Sequence, residues 1–183
     1  MQNEISASLE VTQSLPRLSR QQKAVLNWAI IEEHEKVLDL NCTEASLLWE
    51  LSRRYQLIPC GISETYEQSR GIMRVLENGD VMCGRGDDIP WRDQSMDVVL
   101  SSRPPQEYEQ FDLVLREVLR VLRPGGQFVL SVPFTLDAAL RPNRVMCMLE
   151  KAGFTDVSWR MSWLTGVCIG WKNRPETSDE QAV

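Results

Sequence analysis

The stretch KVLDLNCTEASLLWELSRRY occupies residues 36–55 and decides the fold. It begins with a short apolar run of strand length, residues 37–40. It ends with apolar residues at helical spacing: Ala45, Leu47, Leu48, Leu51 and Tyr55. Residues 41–44 form a tight turn between them, with Thr43 as the expected N-cap. This pattern is typical of the first unit of an open α/β sheet, where a nucleotide-like ligand binds at the turn.

Composition sets the broad class. The chain has 183 residues, of which 43% are hydrophobic and 25% charged, as expected for one domain with a sizeable core. Its formal net charge of -6 argues against nucleic acid as a partner, because such binding needs clustered Lys and Arg. No apolar run has the length of a membrane span, and the first residues do not resemble a signal peptide. We therefore expect no membrane partner and a cytoplasmic location.

Helix and strand patterns alternate along the chain. The predicted helices cover residues 17–34, 45–55, 64–76 (with Ser63 as its cap), 106–122 and 143–152. The predicted strands cover residues 37–40, 57–62, 80–83, 96–102 and 127–132, followed by a hairpin of residues 155–163 and 167–171 around residues 164–166. Right-handed crossovers then require a mostly parallel sheet with helices on both faces. We expect a flexible arm at residues 1–16, one domain at 17–172 and a disordered tail at 173–183.

Four segments carry a family resemblance. They are VLDLNC at residues 37–42, DDIPWRDQSMDVVLSS at 87–102, LREVLRVLRPGGQFVLSVP at 115–133 and AGFTDV at 152–157. In order and spacing they resemble the class I S-adenosylmethionine-dependent methyltransferases, in particular the type 11 branch. The resemblance implies a Rossmann-like, seven-stranded, mostly parallel sheet. Its implied strand order is 3-2-1-4-5-7-6, with strand 7 antiparallel.

The resemblance also implies a cofactor, S-adenosylmethionine, at the carboxyl ends of the first strands. Carried over position by position, the cofactor-binding residues would be Asp39, Asn41, Cys42, Thr43, Ala45, Ile62, Ser63, Asp87, Asp88, Ile89 and Ser101. Of the family's usual contacts, Asp39 is plainly in place.

The cofactor turn departs from the family pattern. The three glycines of the family's first motif fall on Asn41, Thr43 and Ala45. Glycine matters there because a backbone without Cβ can take the required turn and let the cofactor approach closely. The family's acidic ribose ligand at the end of strand 2 falls on Gly61 or Ile62.

Two other departures follow the first. Glu64 is the nearest substitute for the missing ribose acid, although it also suits the first turn of a helix. The family's Gly-Asp pair after strand 3 becomes Gly84-Arg85, for which Asp87 or Asp88 could substitute.

No catalytic residue and no metal ligand is predicted. The single histidine, His34, lies at the end of the first predicted helix, where a surface position is favoured. Cys42, Cys60 and Cys83 follow or end three neighbouring strands and could together rim the cleft as a thiol site. The alternative, which the sequence favours, is that they serve as small buried apolar residues.

Two functions remain open. The sequence favours a non-catalytic or cofactor-impaired methyltransferase-like scaffold. It would form a homodimer or bind a protein partner through the N-terminal helix or the hairpin that carries Trp159, Trp163 and Trp171, because aromatic residues are enriched at interfaces. The alternative is an active S-adenosylmethionine-dependent methyltransferase with a small-molecule substrate, since some methyl transfers need only proximity and orientation.

Overall fold

The structure, a computed structural model, describes residues 17–76, 78–133, 141–162 and 165–173. The predicted arm at residues 1–16 and the tail from residue 174 lie outside these ranges, and so does Trp163. Those expectations stay predictions. Within the described ranges, no helix is long and apolar enough to cross a membrane.

The strands form one sheet in the order β3-β2-β1-β4-β5-β7-β6. Their bounds are β1 Lys36–Asp39, β2 Ile58–Ser63, β3 Asp80–Cys83, β4 Met96–Ser101, β5 Leu122–Pro133, β6 Thr155–Ser162 and β7 Thr165–Trp171. Strands β1 to β5 pair in parallel with one another, and β7 runs antiparallel to its two neighbours, β5 and β6. This confirms the predicted α/β fold and strand order.

Helices cover both faces of the sheet, as predicted. They are α1 Arg20–Trp28, α2 Ser46–Arg54, α3 Tyr66–Met73, α4 Phe111–Val121 and α5 Pro142–Ala152, with a 3-10 turn at Pro105–Glu107. Alternation along β1 sends Val37 towards α1, α2 and α3, and Leu38 towards α4 and α5. Both side chains are completely buried. The sheet therefore separates two hydrophobic cores.

The first helix is shorter than its predicted range of residues 17–34. It begins after Ser19, whose side chain accepts from the Gln22 backbone while the Gln22 side chain accepts from Ser19, a full capping box. It ends at Trp28 because the chain turns away at Ile30, whose N–H donates to the buried Gln127 Oε1 at 3.0 Å. A long-range hydrogen bond sets this end.

Two predicted N-caps are wrong. The second helix starts at Ser46 rather than at the turn, and neither Thr43 nor Ala45 caps it with a side chain. The third helix starts at Tyr66, where Thr65 Oγ1 accepts from Gln68 N at 3.2 Å. Ser63 cannot serve as its cap because it ends β2.

Three other boundaries differ from prediction. The range 106–122 divides into the 3-10 turn and α4, and β5 begins at Leu122, earlier than the predicted residue 127. The hairpin turn does not include Thr165 and Gly166, since both belong to β7. The Arg-Pro-Gly-Gly segment does follow the helix end, and Gly125 takes a φ of 79° there.

We expect Gly166→Ala to lower the free energy of unfolding by about 1–3 kcal/mol. Gly166 faces the Trp159 indole across the β6–β7 pair, and a Cβ at Gly166 would overlap that ring. Urea denaturation measures the change. The matched control is Gly71→Ala in α3, where an added Cβ meets nothing within 4 Å. The control should be neutral or stabilising; equal destabilisation of both variants would contradict this account.

Candidate functional site

A cleft of about 400 Å³ opens at the carboxyl edge of the sheet, where β1, β2, β3 and β4 end. Its lining comes from the turn after β1, the end of β2, the loop after β3 and the segment after β4. The residues are Leu40, Asn41, Ile62, Ser63, Glu64, Gly84, Arg85, Gly86, Asp87, Arg103, Glu107, Tyr108, Glu109, Gln110 and Val114. Parallel sheets normally bind ligands at this edge.

Asp39 ends β1 directly behind the cleft residues Leu40 and Asn41 and is fully buried. Its Oδ1 accepts from Asn41 N at 3.1 Å, whereas Oδ2 has no hydrogen-bond partner among the described residues. Burial raises the pKa of this carboxyl from 3.8 to about 6, with the Glu44 charge adding to the rise and the Asn41 N–H opposing it. A buried acceptor without a donor is costly, so Asp39 weakens the fold.

The turn after β1 accommodates its three non-glycine residues without strain. The described non-glycine residues with positive φ are His34, Gln94, Asp156 and Asn173, all outside this turn. Backbone bonds from Cys42 N to Ile62 O, 2.8 Å, and from Thr43 N to Asn41 O, 3.0 Å, hold it in place. Of the predicted contacts here, Asn41 lines the cleft, Cys42 and Ala45 are buried and Thr43 is exposed.

The structure does not bring Cys42, Cys60 and Cys83 together as the thiol site that was the less favoured alternative. Cys42 and Cys60 belong to the two separate cores on opposite faces of the sheet, and Cys60 lies in the middle of β2 rather than at its end. Cys83 is exposed, and its Sγ donates to Glu64 O at 3.5 Å. Burial raises the pKa of Cys60 to about 12 and that of Cys42 further. Cys42 and Cys60 therefore serve as apolar side chains.

The end of β2 differs from the expected alignment. Ile62 reaches the cleft, but its side chain packs into the core beside α4 and α5. The residue that ends the strand is Ser63, not Gly61 or Ile62. The Ser63 hydroxyl is held by Ser69 Oγ at 2.6 Å and by Thr65 O at 3.0 Å. Glu64 directly follows Ser63, is exposed, and places a carboxylate in the cleft lining next to the end of β2.

The loop after β3 brings one predicted residue to the cleft and leaves two outside it. Asp87 lines the cleft, where the Arg85 guanidinium bonds to it at 2.9 Å and lowers its pKa. Asp88 is exposed and Ile89 is buried, and neither contributes to the lining. Arg85 also pairs with Glu109 at 3.0 Å across the cleft.

The segment after β4 contains cleft residues that were not among the predicted site residues. The hydroxyl of Tyr108 shares a hydrogen bond of 2.8 Å with Ser101, the buried last residue of β4. The Arg103 guanidinium lies 5.3 Å from the centroid of the Tyr108 ring. It also pairs with Glu64 at 3.2 Å and, more loosely, with Glu107 at 3.7 Å. The sequence signals were their position just after the fourth strand and the two prolines after Arg103, which favoured a rigid loop.

Comparison with known proteins agrees with this geometry. The family model described as a methyltransferase domain matches residues 38–130, half of the chain. YrhH of Bacillus subtilis (strain 168), whose name describes a methyltransferase, is 25% identical over 133 residues, covering 70% of this chain and 73% of YrhH. The fatty-acid O-methyltransferase of Mycolicibacterium smegmatis is 46% identical over 102 residues, 53% of this chain.

The match covers only part of several of these relatives. It spans 36% of the Mycolicibacterium smegmatis enzyme and 19% of a phthiotriol/phenolphthiotriol dimycocerosates methyltransferase of Mycobacterium ulcerans. Among solved structures, the Haemonchus contortus phosphoethanolamine N-methyltransferase 2, in complex with S-adenosylhomocysteine, matches with a TM-score of 0.68 at 12% identity. The match covers 83% of this chain and 52% of that one. At that identity the likeness shows the fold alone.

Proposed function

Because this chain belongs to the methyltransferase domain family, we propose that its cleft binds S-adenosylmethionine and that the protein methylates a small molecule. The observation that carries the proposal is the unpaired Oδ2 of the fully buried Asp39. A carboxylate that is buried with one oxygen unsatisfied costs stability, and such costs are typical of functional sites.

The chemistry of Asp39 fits the cofactor. The amino acid end of S-adenosylmethionine carries an ammonium group, which is the kind of donor that an unpaired carboxylate oxygen accepts from. Asn41 and Ser63 would lie along the cofactor, and Glu64 or Asp87 offers the nearest carboxylate for ribose hydroxyls. Bound cofactor supplies an electrophilic methyl group on a positively charged sulfur. The lining suits that charge, since it carries the carboxylates Glu64, Asp87, Glu107 and Glu109 against Arg85 and Arg103.

Access to Asp39 requires movement. Asp39 is fully buried, and Tyr108 is hydrogen-bonded at 2.8 Å to Ser101, the residue after the β4 partner of Asp39. The ion pair between Arg103 and Glu64 joins the two sides of the cleft. We infer that the segment after β4 opens to admit the cofactor and closes behind it, as mobile segments do in many enzymes.

Calorimetric titration with S-adenosylmethionine and S-adenosylhomocysteine tests the proposal. We expect micromolar dissociation constants for the unmodified chain. Asp39→Asn should weaken binding on the order of 10- to 100-fold, because it removes a charge-assisted hydrogen bond. The matched control is Asp97→Asn, in β4 but at the opposite edge of the sheet, where Asp97 accepts from Lys36 N at 2.6 Å. It should bind like the unmodified chain, and equal weakening in both variants would contradict a specific role for Asp39.

A second candidate is the non-catalytic scaffold. It is favoured by Asn41, Thr43 and Ala45 in place of the family's glycines and by the ion pair across the cleft. The two partner surfaces proposed for it adjoin, since the Arg160 guanidinium of β6 lies 6.0 Å from the Trp28 ring of α1. Absence of binding at millimolar cofactor, with the folded state verified, would favour this candidate.

A further inference from the structure

Resting on the proposed function, we propose that the methyl acceptor is a carboxylate and that Arg103 holds it. Arg103 follows β4, beside the end of β1, and lines the cleft. Two independent features of the cleft support the proposal: among the described residues, the lining offers no histidine, lysine or cysteine as a strong general base, and it contains a guanidinium that already binds carboxylates.

The first feature is the lack of a general base. The described lining residues include no histidine, lysine or cysteine. Burial raises the pKa of the Tyr108 phenol above its usual range, so that it keeps its proton at neutral pH. His34 precedes β1 and therefore lies at the opposite edge of the sheet. Carboxylates are weak bases, poorly suited to removing the proton of an acceptor such as an alcohol. A suitable acceptor must therefore be nucleophilic at neutral pH without help, and a carboxylate is.

The second feature is the set of partners of Arg103. The Arg103 side chain is 30% exposed, whereas its partners Glu64 and Glu107 are 65% and 57% exposed. The Tyr108 ring lies under the guanidinium and fixes its position. Exposed glutamates give up such pairs at little cost, because surface ion pairs contribute about 0–1 kcal/mol. A carboxylate from solution can therefore replace them, and the planar guanidinium can bind it through two parallel hydrogen bonds.

The transfer balances without a proton. An oxygen of the acceptor carboxylate provides the electron pair for the new carbon–oxygen bond, and the methyl carbon–sulfur bond breaks with its pair left on sulfur. One negative and one positive charge disappear, giving a neutral methyl ester and a neutral thioether. The neutral ester no longer forms an ion pair with Arg103, so the guanidinium can pair again with Glu64 and Glu107 as the product leaves. The apolar side chains of Leu40 and Val114 offer contact to the rest of the acceptor.

The test is a titration of the protein saturated with S-adenosylhomocysteine, using octanoate, octanol and octylamine as probes of equal length. We expect octanoate to bind most tightly and Arg103→Gln to weaken octanoate binding about 10- to 100-fold. Arg53→Gln is the matched control, because Arg53 pairs with Glu50 on α2 outside the cleft and should leave the affinity unchanged. With S-adenosylmethionine in place of the product, mass spectrometry should detect methyl octanoate.

Three results would overturn the proposal. The first is that octanol or octylamine binds more tightly than octanoate, and the second is that Arg103→Gln binds octanoate as tightly as the unmodified protein does. The third is that the unmodified protein binds no octanoate while Arg103→Gln binds the cofactor more tightly. The last result would mean that Arg103 only closes the cleft. Failure of the proposed function looks different, since S-adenosylhomocysteine itself would then not bind. In that case Arg103-dependent binding of octanoate to the free protein would support the carboxylate site, and its absence would overturn it.

Discussion

Asp39→Asn is expected to raise the free energy of unfolding at pH 7 by about 1–2 kcal/mol. The pKa of the Asp39 carboxyl rises from 3.8 to about 6 on folding, so above pH 6 the folded state carries a buried charge that it does not favour. Asparagine keeps the oxygen that accepts from Asn41 N and removes the charge, while its buried amide N–H groups lack an acceptor and offset part of the gain. Few single substitutions stabilise a protein by this much.

The direction in which the free energy of unfolding changes with pH distinguishes Asp39 from the carboxylates whose pKa values are lowered. A raised pKa means that the folded state binds the proton more tightly, so the contribution of Asp39 is most favourable below pH 3.8 and is lost as the pH rises through about 6. Glu50, Asp87 and Glu117 have lowered pKa values from their arginine partners and act in the opposite direction. Urea denaturation of both proteins from pH 4 to pH 8 isolates Asp39 as their difference. A difference that does not grow with pH would contradict the account.

The same substitution should stabilise the fold and weaken cofactor binding. Replacing a residue with a purely structural role would lower the free energy of unfolding of the protein as well as any ligand binding. Opposite effects on stability and on binding are typical of residues retained for function. If Asp39→Asn destabilises the protein, Asp39 is a structural residue and the main support for the proposed function is gone.

Gly61→Ala is expected to lower the free energy of unfolding by about 2–3 kcal/mol, at the upper end for overpacking. Gly61 lies in β2 opposite Asp39, and a Cβ there would stand 2.9 Å from Cys42 Cβ and 3.1 Å from Leu48 Cδ1. Both neighbours are completely buried, so neither can move aside freely. The change can be measured by chemical denaturation.

A second substitution, Cys42→Ala, alone and combined with Gly61→Ala, provides the control for this prediction. It removes the Sγ atom that would lie 3.0 Å from the new Cβ, although Leu48 and the Cys42 Cβ remain. The double variant should therefore be less destabilised than the sum of the two single variants, by about 0.5–1 kcal/mol. Simple additivity would mean that Cys42 does not limit the space at Gly61. The packing of Cys42 against Gly61 would then not be what holds the turn after β1 against β2.

The sequence was sufficient to predict the architecture because local patterns carry it. The apolar run at residues 37–40 and the period of Phe111, Val114, Leu115 and Val118 in α4 indicate a buried parallel strand and an amphipathic helix. Alternation of such units leaves little choice of topology. Helix ends were less predictable, because Ile30 is held by Gln127 across 97 residues of sequence.

The candidate site could be predicted only in part. Asp39 and Asn41 follow from the motif itself, since they occupy fixed positions relative to the strand end. Cys42 and Cys60 do not meet because Cys42, in the turn after β1, packs into one core while Cys60, in β2, packs into the core on the opposite face of the sheet. Arg103 and Tyr108 lie just before and just after the 3-10 turn, and its packing brings both to the cleft, which no local sequence pattern specifies.

The most direct measurement of the central claim is the pKa of the Asp39 side chain by carboxyl carbon NMR, without and with saturating S-adenosylhomocysteine. The free protein should give a pKa of about 6. Because a neighbouring ammonium favours the charged carboxylate, the pKa in the complex should fall well below that value. A pKa that stays near 6 in the saturated complex would show that the ligand does not reach Asp39, and it would contradict the proposal that this carboxylate is kept buried and unpaired for the cofactor.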